Sequence, residues 1–343
     1  MSLQHLLEFC AFNGYGRWIL LSTSIKNDLL TTATYCLSKG KGDINFARAI
    51  RGYAARDLNL DKDVPVVTEK FSVTTYNVLT GPRLGSNPNK PSIYEHETPN
   101  ADPSYIRWKD RKYLVFEALQ RKDVVMLNEV TRPMLHDIIK ATKLAKAGFE
   151  LKKDGNYDGS AILFDPKVFT LITKFGSRLI SGWGQVLLCA ILRSNESGKE
   201  LAVMSLHLKS GYADYERIRK DQFKAAMNVF KKSKWGGLPL VVGGDLNSDY
   251  RDKTIHDHKG GALVDQMTKK YDLVDTCLGD CSRKGRPVTY NQWHPSVFDY
   301  ILVTRKDFSI LSYEVPSAGT DRGAPNKYQG SDHFPVTVEL SLK

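Results

Sequence analysis

Polar side chains stand at the ends of apolar, strand-length runs in this sequence. Four runs finish at such a residue: Asn77, Glu129, His207 and Asp245, the last followed by Asn247. Two later runs begin with polar residues: Asp299 in one, Asp332 and His333 in the other. If the first four strands run towards one edge of the fold and the last two run away from it, all these side chains meet there. Carboxylates and imidazoles crowded at one edge are costly to assemble without a cation.

The types of side chain favour a hard divalent cation. All the candidate ligands offer oxygen or imidazole nitrogen, which suits Mg²⁺ or Mn²⁺ rather than a structural zinc. One Mg²⁺ uses only one or two protein carboxylates, so some of the four acids should move protons or orient a histidine. Taken singly, each residue has a structural explanation, because strand-end carboxylates commonly cap turns. Their joint occurrence in chain order favours chemistry.

The elements that must position these residues form a mixed pattern. Strand-length apolar runs occupy Phe71–Leu79, Val124–Leu127, Ser160–Phe164, Val186–Leu192, Leu201–Leu208, Leu238–Val242, Val297–Val303 and Phe334–Leu342. Helical stripes lie at 108–119, 133–145 and 215–232. Strands and helices that do not alternate strictly predict an α/β (α+β) fold, a four-layer α-β-β-α sandwich of two packed mixed sheets with outer helices.

Composition and charge narrow the function classes. The 343 residues are 41% hydrophobic and 25% charged, which excludes a disordered chain, a collagen-like fibre and a disulfide miniprotein. The 49 basic and 38 acidic residues give a net charge of +11. This excess favours a polyanionic partner such as nucleic acid or an anionic membrane surface, with a merely basic surface as the alternative. We predict an N-terminal extension of unknown role at residues 1–69 and a catalytic domain at 70–343.

The cysteines and the N-terminal region bear on location. Five cysteines at scattered spacings make a disulfide framework unexpected, so we predict an intracellular, reducing compartment, the cytoplasm or nucleus, with an organelle left open. The apolar stretch Leu6–Ile25 is interrupted by Glu8 and Arg17, so no transmembrane segment or secretory signal is expected. The sequence gives no indication of oligomeric state.

Six motifs together resemble one superfamily. They are Tyr76–Leu79, Leu127–Val130, Ser205–Lys209, Gly244–Asn247, Phe298–Ile301 and Ser331–Pro335. With Arg219 and Gln222 on the helix after His207, they resemble the endonuclease/exonuclease/phosphatase superfamily, which has the deoxyribonuclease I-like fold. The match runs from Phe71 to Leu342. Trp108 and Arg111, three residues apart, are similar to a motif of the deadenylase, nocturnin and Angel group.

The resemblance implies a metal centre. Glu129 would hold the divalent ion, Mg²⁺ or alternatively Mn²⁺, with Asn77 and Asp332 beside it. Two positions depart from the family pattern. Asn128 stands where glutamine is usual, and Leu79 stands where some nucleases have a second acidic ligand, so that extra ligand is not expected here.

The resemblance also implies catalytic roles. Asp245 and Asn247 would orient or activate the attacking water. His333, held by Asp299, would contact the scissile phosphate or move a proton, and His207 would donate to a phosphate oxygen.

Two loops are expected to shape the substrate groove, 81–105 and 248–261. Four residues in or near them are candidates to contact phosphates or bases: Arg83, Tyr105, Lys209 and Arg251. We predict a divalent-metal-dependent phosphodiesterase, a nuclease acting on RNA or DNA with RNA slightly favoured. The alternatives are a phosphatase or phosphodiesterase of a nucleotide, phospholipid or inositide headgroup, and a catalytically silent nucleic-acid-binding module.

Overall fold

The computed structural model describes residues 69–80, 103–105, 107–151, 158–179, 184–211, 215–249, 262–277, 287–291, 295–316 and 324–343. The predicted extension, apart from its last residue, lies outside these ranges, so the domain boundary stays a prediction. No described helix is both long enough and apolar enough to cross a membrane.

Two six-stranded sheets form the centre of the described structure. The first sheet has the order β13 (Phe308–Glu314), β14 (Val336–Leu342), β1 (Lys70–Asn77), β2 (Val124–Thr131), β4 (Asp158–Phe164) and β3 (Ala145–Leu151). The second has the order β5 (Phe169–Arg178), β6 (Val186–Ser194), β7 (Glu200–His207), β8 (Leu240–Asp245), β12 (Asp299–Thr304) and β9 (Leu273–Asp275). A small ribbon pairs β10 (Tyr290–Asn291) with β11 (Pro295–Ser296). Both large sheets contain parallel and antiparallel pairs.

Four α-helices lie in the described ranges: α1 (Trp108–Ala118), α2 (Arg132–Thr142), α3 (Glu216–Lys232) and α4 (Leu263–Tyr271). The Thr131 hydroxyl accepts the Met134 amide and caps the start of α2. Lys143 takes a left-handed conformation after the last residue of α2, Thr142, which lies three residues before the predicted end at 145. The sequence pattern did not predict α4 or the strands β3, β5, β9, β10, β11 and β13.

Alternation along the strands separates three apolar layers. In β2, Val124 and Met126 face the core between the two sheets, whereas Val125 and Leu127 face α1 and α2. Strand β6 alternates in the same way between the inter-sheet core and the layer that contains α3 and α4. Side chains that alternate between faces in this way let each sheet pack on both sides. The predicted four-layer sandwich is confirmed.

Strand direction carries the polar residues to one edge. Strands β1 and β2 run parallel, as do β7 and β8. Strand β14 is antiparallel to β1, and β12 is antiparallel to β8, with Asp299 directly opposite Asp245. The ends of the first four strands therefore meet the starts of the last two, in the arrangement that the sequence predicted.

The cysteines differ in state. Cys189 is free and buried, whereas Cys277 is disulfide-bonded. The scattered spacings of the cysteines did not predict that bond.

Candidate active site

The amide of Asn77 lies at the centre of the polar edge. Its Nδ2 donates to Glu129 Oε1 at 3.2 Å and to Asp245 Oδ2 at 3.0 Å, and lies 3.4 Å from His333 Nε2. Its Oδ1 accepts the Leu79 backbone N–H at 3.1 Å. One side chain at the end of β1 thus contacts groups from both sheets.

Glu129 reaches the cluster because the strand is bulged. The pairing of β2 with β4 shifts register between Leu127 and Val130, and Glu129 itself has a φ of 55°. A bulge of this kind turns a side chain out of the regular alternation. The second carboxylate oxygen, Oε2, accepts the Thr80 backbone N–H at 3.2 Å. Glu129 is thereby fixed to the segment that follows Asn77.

Asp245 is buried and held on three sides. Its backbone N–H donates to Asn128 Oδ1 at 2.9 Å, and its Oδ1 accepts the Asn247 N–H at 2.9 Å. The residue before it must be glycine: Gly244 has a φ of 141°, and a Cβ there would lie 1.8 Å from the Leu206 carbonyl oxygen. Gly244 therefore lets β8 approach β7 closely at the site.

Asn128 joins the two sheets beneath the site. Its Nδ2 donates to Ser160 Oγ at 3.0 Å and lies 3.5 Å from Ser205 Oγ, while its Oδ1 accepts from Asp245. The asparagine that departs from the family pattern is thus fully buried and has partners for both ends of its amide.

Two histidines flank Asp245. His333 Nδ1 lies 2.7 Å from Asp299 Oδ2, and its Nε2 lies 3.7 Å from Asp245 Oδ2. His207 Nε2 lies 3.5 Å from Asp245 Oδ2 and 4.0 Å from Glu129 Oε1. Both rings are buried, and a charge on either ring would act strongly on Asp245.

The buried charges shift the ionisation of three groups. Burial raises the pKa of Asp245 and Asp299 adds to the rise, against the opposing effects of His333 and His207. Burial raises the pKa of Asp332 to about 6, and Glu129 adds to it, while His333 and Arg111 oppose it. Burial would lower the pKa of His333, but the carboxylates of Asp299 and Asp245 outweigh it and hold that pKa well above its usual value.

The residues fit a hard cation. Asp245 and Asp332 are buried carboxylates with raised pKa values, so the chain supplies too little positive charge around them to offset their burial. Asp245, Asp299 and His333 could each place one ligand atom within 4.8 Å of the others. The set expected from the sequence is a different one, Glu129, Asn77 and Asp332, in which the Asn77 amide contacts Glu129 Oε1 at 3.2 Å. Asn77 would have to turn its amide over to offer oxygen in place of nitrogen.

A buried polar group on α3 secures two loops beside the site. Arg219 donates to the carbonyl oxygens of Lys209 and Gly211 and pairs with Glu216 at 2.9 Å. Gln222 Oε1 accepts the Lys209 N–H at 2.9 Å. These contacts give Arg219 and Gln222 a positioning function for the chain after His207.

Glu216, which the sequence reasoning missed, contacts the described residues that flank 250–261. Its Oε1 accepts from Ser248 Oγ and from the Leu263 N–H, both at 2.7 Å, on either side of residues 250–261. A glutamate inside the apolar stripe of a helix is the signal that could have found it.

The structure brings together seven predicted site residues, each of which contacts at least one other member of the group. They are Asn77, Glu129, His207, Asp245, Asn247, Asp299 and His333. Asp332 joins them through its electrostatic coupling to Glu129 and His333. Arg83 and Arg251 lie outside the described residues. Tyr105 ends a short 3₁₀ turn, Pro103–Tyr105, that packs against α1. The Lys209 ammonium donates to the Ser210 carbonyl and lies 4.6 Å from the centre of the Tyr215 ring.

Comparison with known proteins identifies the family. The model of the Endonuclease/Exonuclease/phosphatase family matches residues 74–333. Nocturnin of Drosophila melanogaster is 29% identical over 274 residues, covering 69% of this chain and 42% of nocturnin. The RNA exonuclease NGL1 of Saccharomyces cerevisiae is 25% identical over 188 residues, covering 48% of this chain and 51% of NGL1. The chain spans about half the length of these curated relatives.

A solved structure shares the fold. The crystal structure of ANGEL2, a 2′,3′-cyclic phosphatase, superposes with a TM-score of 0.62 at 16% identity, covering 80% of this chain and 96% of that one. The family model spans well over half of the chain and includes every strand end that contributes to the site. The chain therefore belongs to the endonuclease/exonuclease/phosphatase family, and its sequence is similar to that of nocturnin.

Proposed function

We propose that this protein is a divalent-metal-dependent nuclease that hydrolyses phosphodiester bonds, preferably in RNA. The observation that carries the proposal is the convergence of Glu129, Asp245 and His333 on the amide of Asn77. Family members act as hydrolases on phosphodiester bonds, which supports the reaction class. Such a reaction needs a positioned base, positive charge near the phosphate oxygens, and a way to stabilise the leaving oxygen.

Asp245 is the residue best placed to accept the proton of the attacking water. The Asn247 N–H and the Asn77 amide fix the two oxygens of its carboxylate. Burial raises its pKa, which makes the carboxylate a stronger base near neutral pH. A positioned base contributes about 10²–10⁴-fold to the rate.

His333 and His207 supply donors to the phosphate. Asp299 and Asp245 hold the pKa of His333 well above its usual value and so favour the charged form of the ring, which can donate from Nε2. Asp299 accepts from Nδ1 and fixes the orientation of the ring. His207 Nε2 lies beside Glu129 and Asp245 on the other side of the cluster. A cation held by Glu129, with Asn77 and Asp332, would neutralise charge on the phosphate oxygens.

The preference for RNA rests on charge and on relatives. The formal net charge of +11 favours a polyanionic substrate. NGL1, one of the relatives, is an RNA exonuclease. A phosphatase of a nucleotide or a headgroup is the second candidate, which the similarity to ANGEL2, a 2′,3′-cyclic phosphatase, supports. A silent binding module is disfavoured, since binding alone does not need a carboxylate with a raised pKa next to a charged imidazole.

A digestion panel tests the proposal. End-labelled poly(A), mixed-sequence RNA, single- and double-stranded DNA, a cyclic nucleotide, a phospholipid and an inositide are incubated with the protein in Mg²⁺, Mn²⁺ or EDTA. We expect Mg²⁺-dependent cleavage of RNA, and binding that weakens steeply between about 50 and 200 mM salt. Release of phosphate from a small ester with no RNA cleavage would overturn the assignment.

A further inference from the structure

Arg111 is a fully buried cation that the proposed mechanism does not use. It lies on α1 in the same stripe as Val115 and Leu119, which are also buried. Its guanidinium is 5.4 Å from the centre of the Trp108 ring. An arginine inside an apolar stripe is costly unless its donors are satisfied, so its partners indicate why it is there.

The partners of Arg111 are backbone carbonyls from two distant segments. Its Nη1 donates to Val78 O at 2.6 Å and to Gly330 O at 2.7 Å, and its Nη2 donates to Leu79 O. The planar fork of a guanidinium can serve several acceptors in fixed directions, which the single ammonium of lysine cannot. Arg111 therefore ties residues 78–79 to residue 330.

Each tied segment carries one half of the candidate active site. Residues 77–80 supply the Asn77 amide and the Thr80 N–H that contact Glu129. Residues 330–333 include Asp332 and His333, and the Ser331 hydroxyl donates to Asn77 O at 2.7 Å. The charge of Arg111 also lowers the pKa of Asp332 against the effect of burial.

We infer that Arg111 is a positioning residue of the catalytic centre, which sets the Glu129 and His333 ends of the site in register without touching the substrate. The inference rests on the proposed function for its catalytic consequence, but the tie itself has a structural readout. A misplacement of about 1 Å can cost about 10²-fold in rate, so removing the Arg111 guanidinium should measurably lower turnover.

The test uses the full chain with Arg111→Lys and two controls. Arg193→Lys changes an exposed arginine that pairs with Glu200, and Phe308→Leu weakens the inter-sheet core at the far strand of the first sheet. We expect Arg111→Lys to lower kcat on RNA by at least tenfold with KM changed by less than threefold. Amide hydrogen exchange should rise together in peptides covering 77–80 and 330–333. Phe308→Leu should lower the melting temperature with neither effect.

A second variant applies if Arg111→Lys does not fold. A Cβ on Gly330 would lie 2.9 Å from Val115 Cγ2 and 3.2 Å from Arg111 O, so Gly330→Ala pushes the segment away from α1 while keeping the charge. Gly330→Ala should also lower kcat, but by less than Arg111→Lys does. Folded variants with unchanged kcat, or with exchange raised in one segment alone, would overturn the inference. If the wild-type protein cleaves no RNA, the proposed function fails, and the exchange data still decide whether Arg111 ties the segments.

Discussion

The two sheets contribute unlike carboxylates to one site. Glu129, from the first sheet, has 23% of its side chain exposed, whereas Asp245 and Asp299, from the second, are 2% and 0% exposed. A carboxylate that solvent reaches can exchange its ligands and suits cation binding. Carboxylates that are buried against imidazoles have strongly coupled charges and suit proton transfer. We propose that Glu129 belongs to a binding half of the site and that Asp245 and Asp299 form a proton-transfer half, although every residue stands at the same edge. Asp332, the other carboxylate proposed to hold the cation, differs from Glu129 because it is buried.

The largest effect is expected from the buried half. Asp245→Asn removes the base but keeps an oxygen that can accept the Asn247 N–H, so the variant should fold and lose at least about 10³-fold in turnover. Initial rates on end-labelled RNA with saturating Mg²⁺ measure it. Asp272→Asn, at an exposed aspartate paired with Arg305, is the matched control. Turnover within tenfold of wild type, in a variant with an unchanged melting curve, would remove Asp245 from the chemistry.

A change at Glu129, the exposed carboxylate, should alter how turnover depends on the cation concentration. Glu129→Gln should lower apparent Mg²⁺ affinity by at least about tenfold and recover part of its turnover as Mg²⁺ is raised. Asp245→Asn should not recover, since its defect is in proton transfer. The measurement is turnover against Mg²⁺ concentration, with exposed Glu196→Gln as control. The same Mg²⁺ dependence in Glu129→Gln and wild type would erase the distinction between the halves.

Asp332 provides a test through stability. Its pKa is raised from 3.8 to about 6, so the folded protein is favoured by protonation of this group. That contribution is present below pH 4 and is lost as pH rises through about 6. In EDTA at pH 7.5, Asp332→Asn should therefore raise the free energy of unfolding by up to about 2–3 kcal/mol, although it should weaken cation binding.

Chemical denaturation of the metal-free proteins at pH 7.5 and pH 4 measures this effect. The gain of Asp332→Asn over wild type should shrink at the lower pH, where the aspartate is neutral in the folded state and partly protonated in the unfolded state. The half-exposed Asp221→Asn is measured in the same way as the control. A variant that is less stable than wild type at pH 7.5 would mean that the charge on Asp332 is already compensated within the chain.

The strand ends were predictable because their pattern is local. Asn77, His207 and Asp245 each close an apolar run, and such runs can be recognised within a few residues. The four layers follow from runs that are apolar on both faces. The sequence therefore predicted the direction of the strands and the group of residues at their ends.

The positioning contacts were not predictable because they join distant segments. Arg111 contacts residues 33 and 219 positions away, and no local pattern names those partners. The two-residue strand at Tyr290 and Asn291 is too short to show a period. Its neighbour Thr289 accepts the N–H groups of Phe298 and Asp299 through a hydroxyl that looks like any loop threonine in the sequence.

The smallest effect is expected at Lys209, which the sequence suggested as a substrate contact. Its ammonium is engaged by the Ser210 carbonyl and the Tyr215 ring, and its backbone is what α3 holds through Arg219 and Gln222. Lys209→Met keeps that backbone, so kcat should change by less than about threefold, with a slight rise in KM that is larger at low salt. Steady-state kinetics on RNA at two salt concentrations measure it. A loss of tenfold or more in kcat would mean that the ammonium leaves Tyr215 and enters the site with substrate, and the binding half would then extend along β7 to the second sheet.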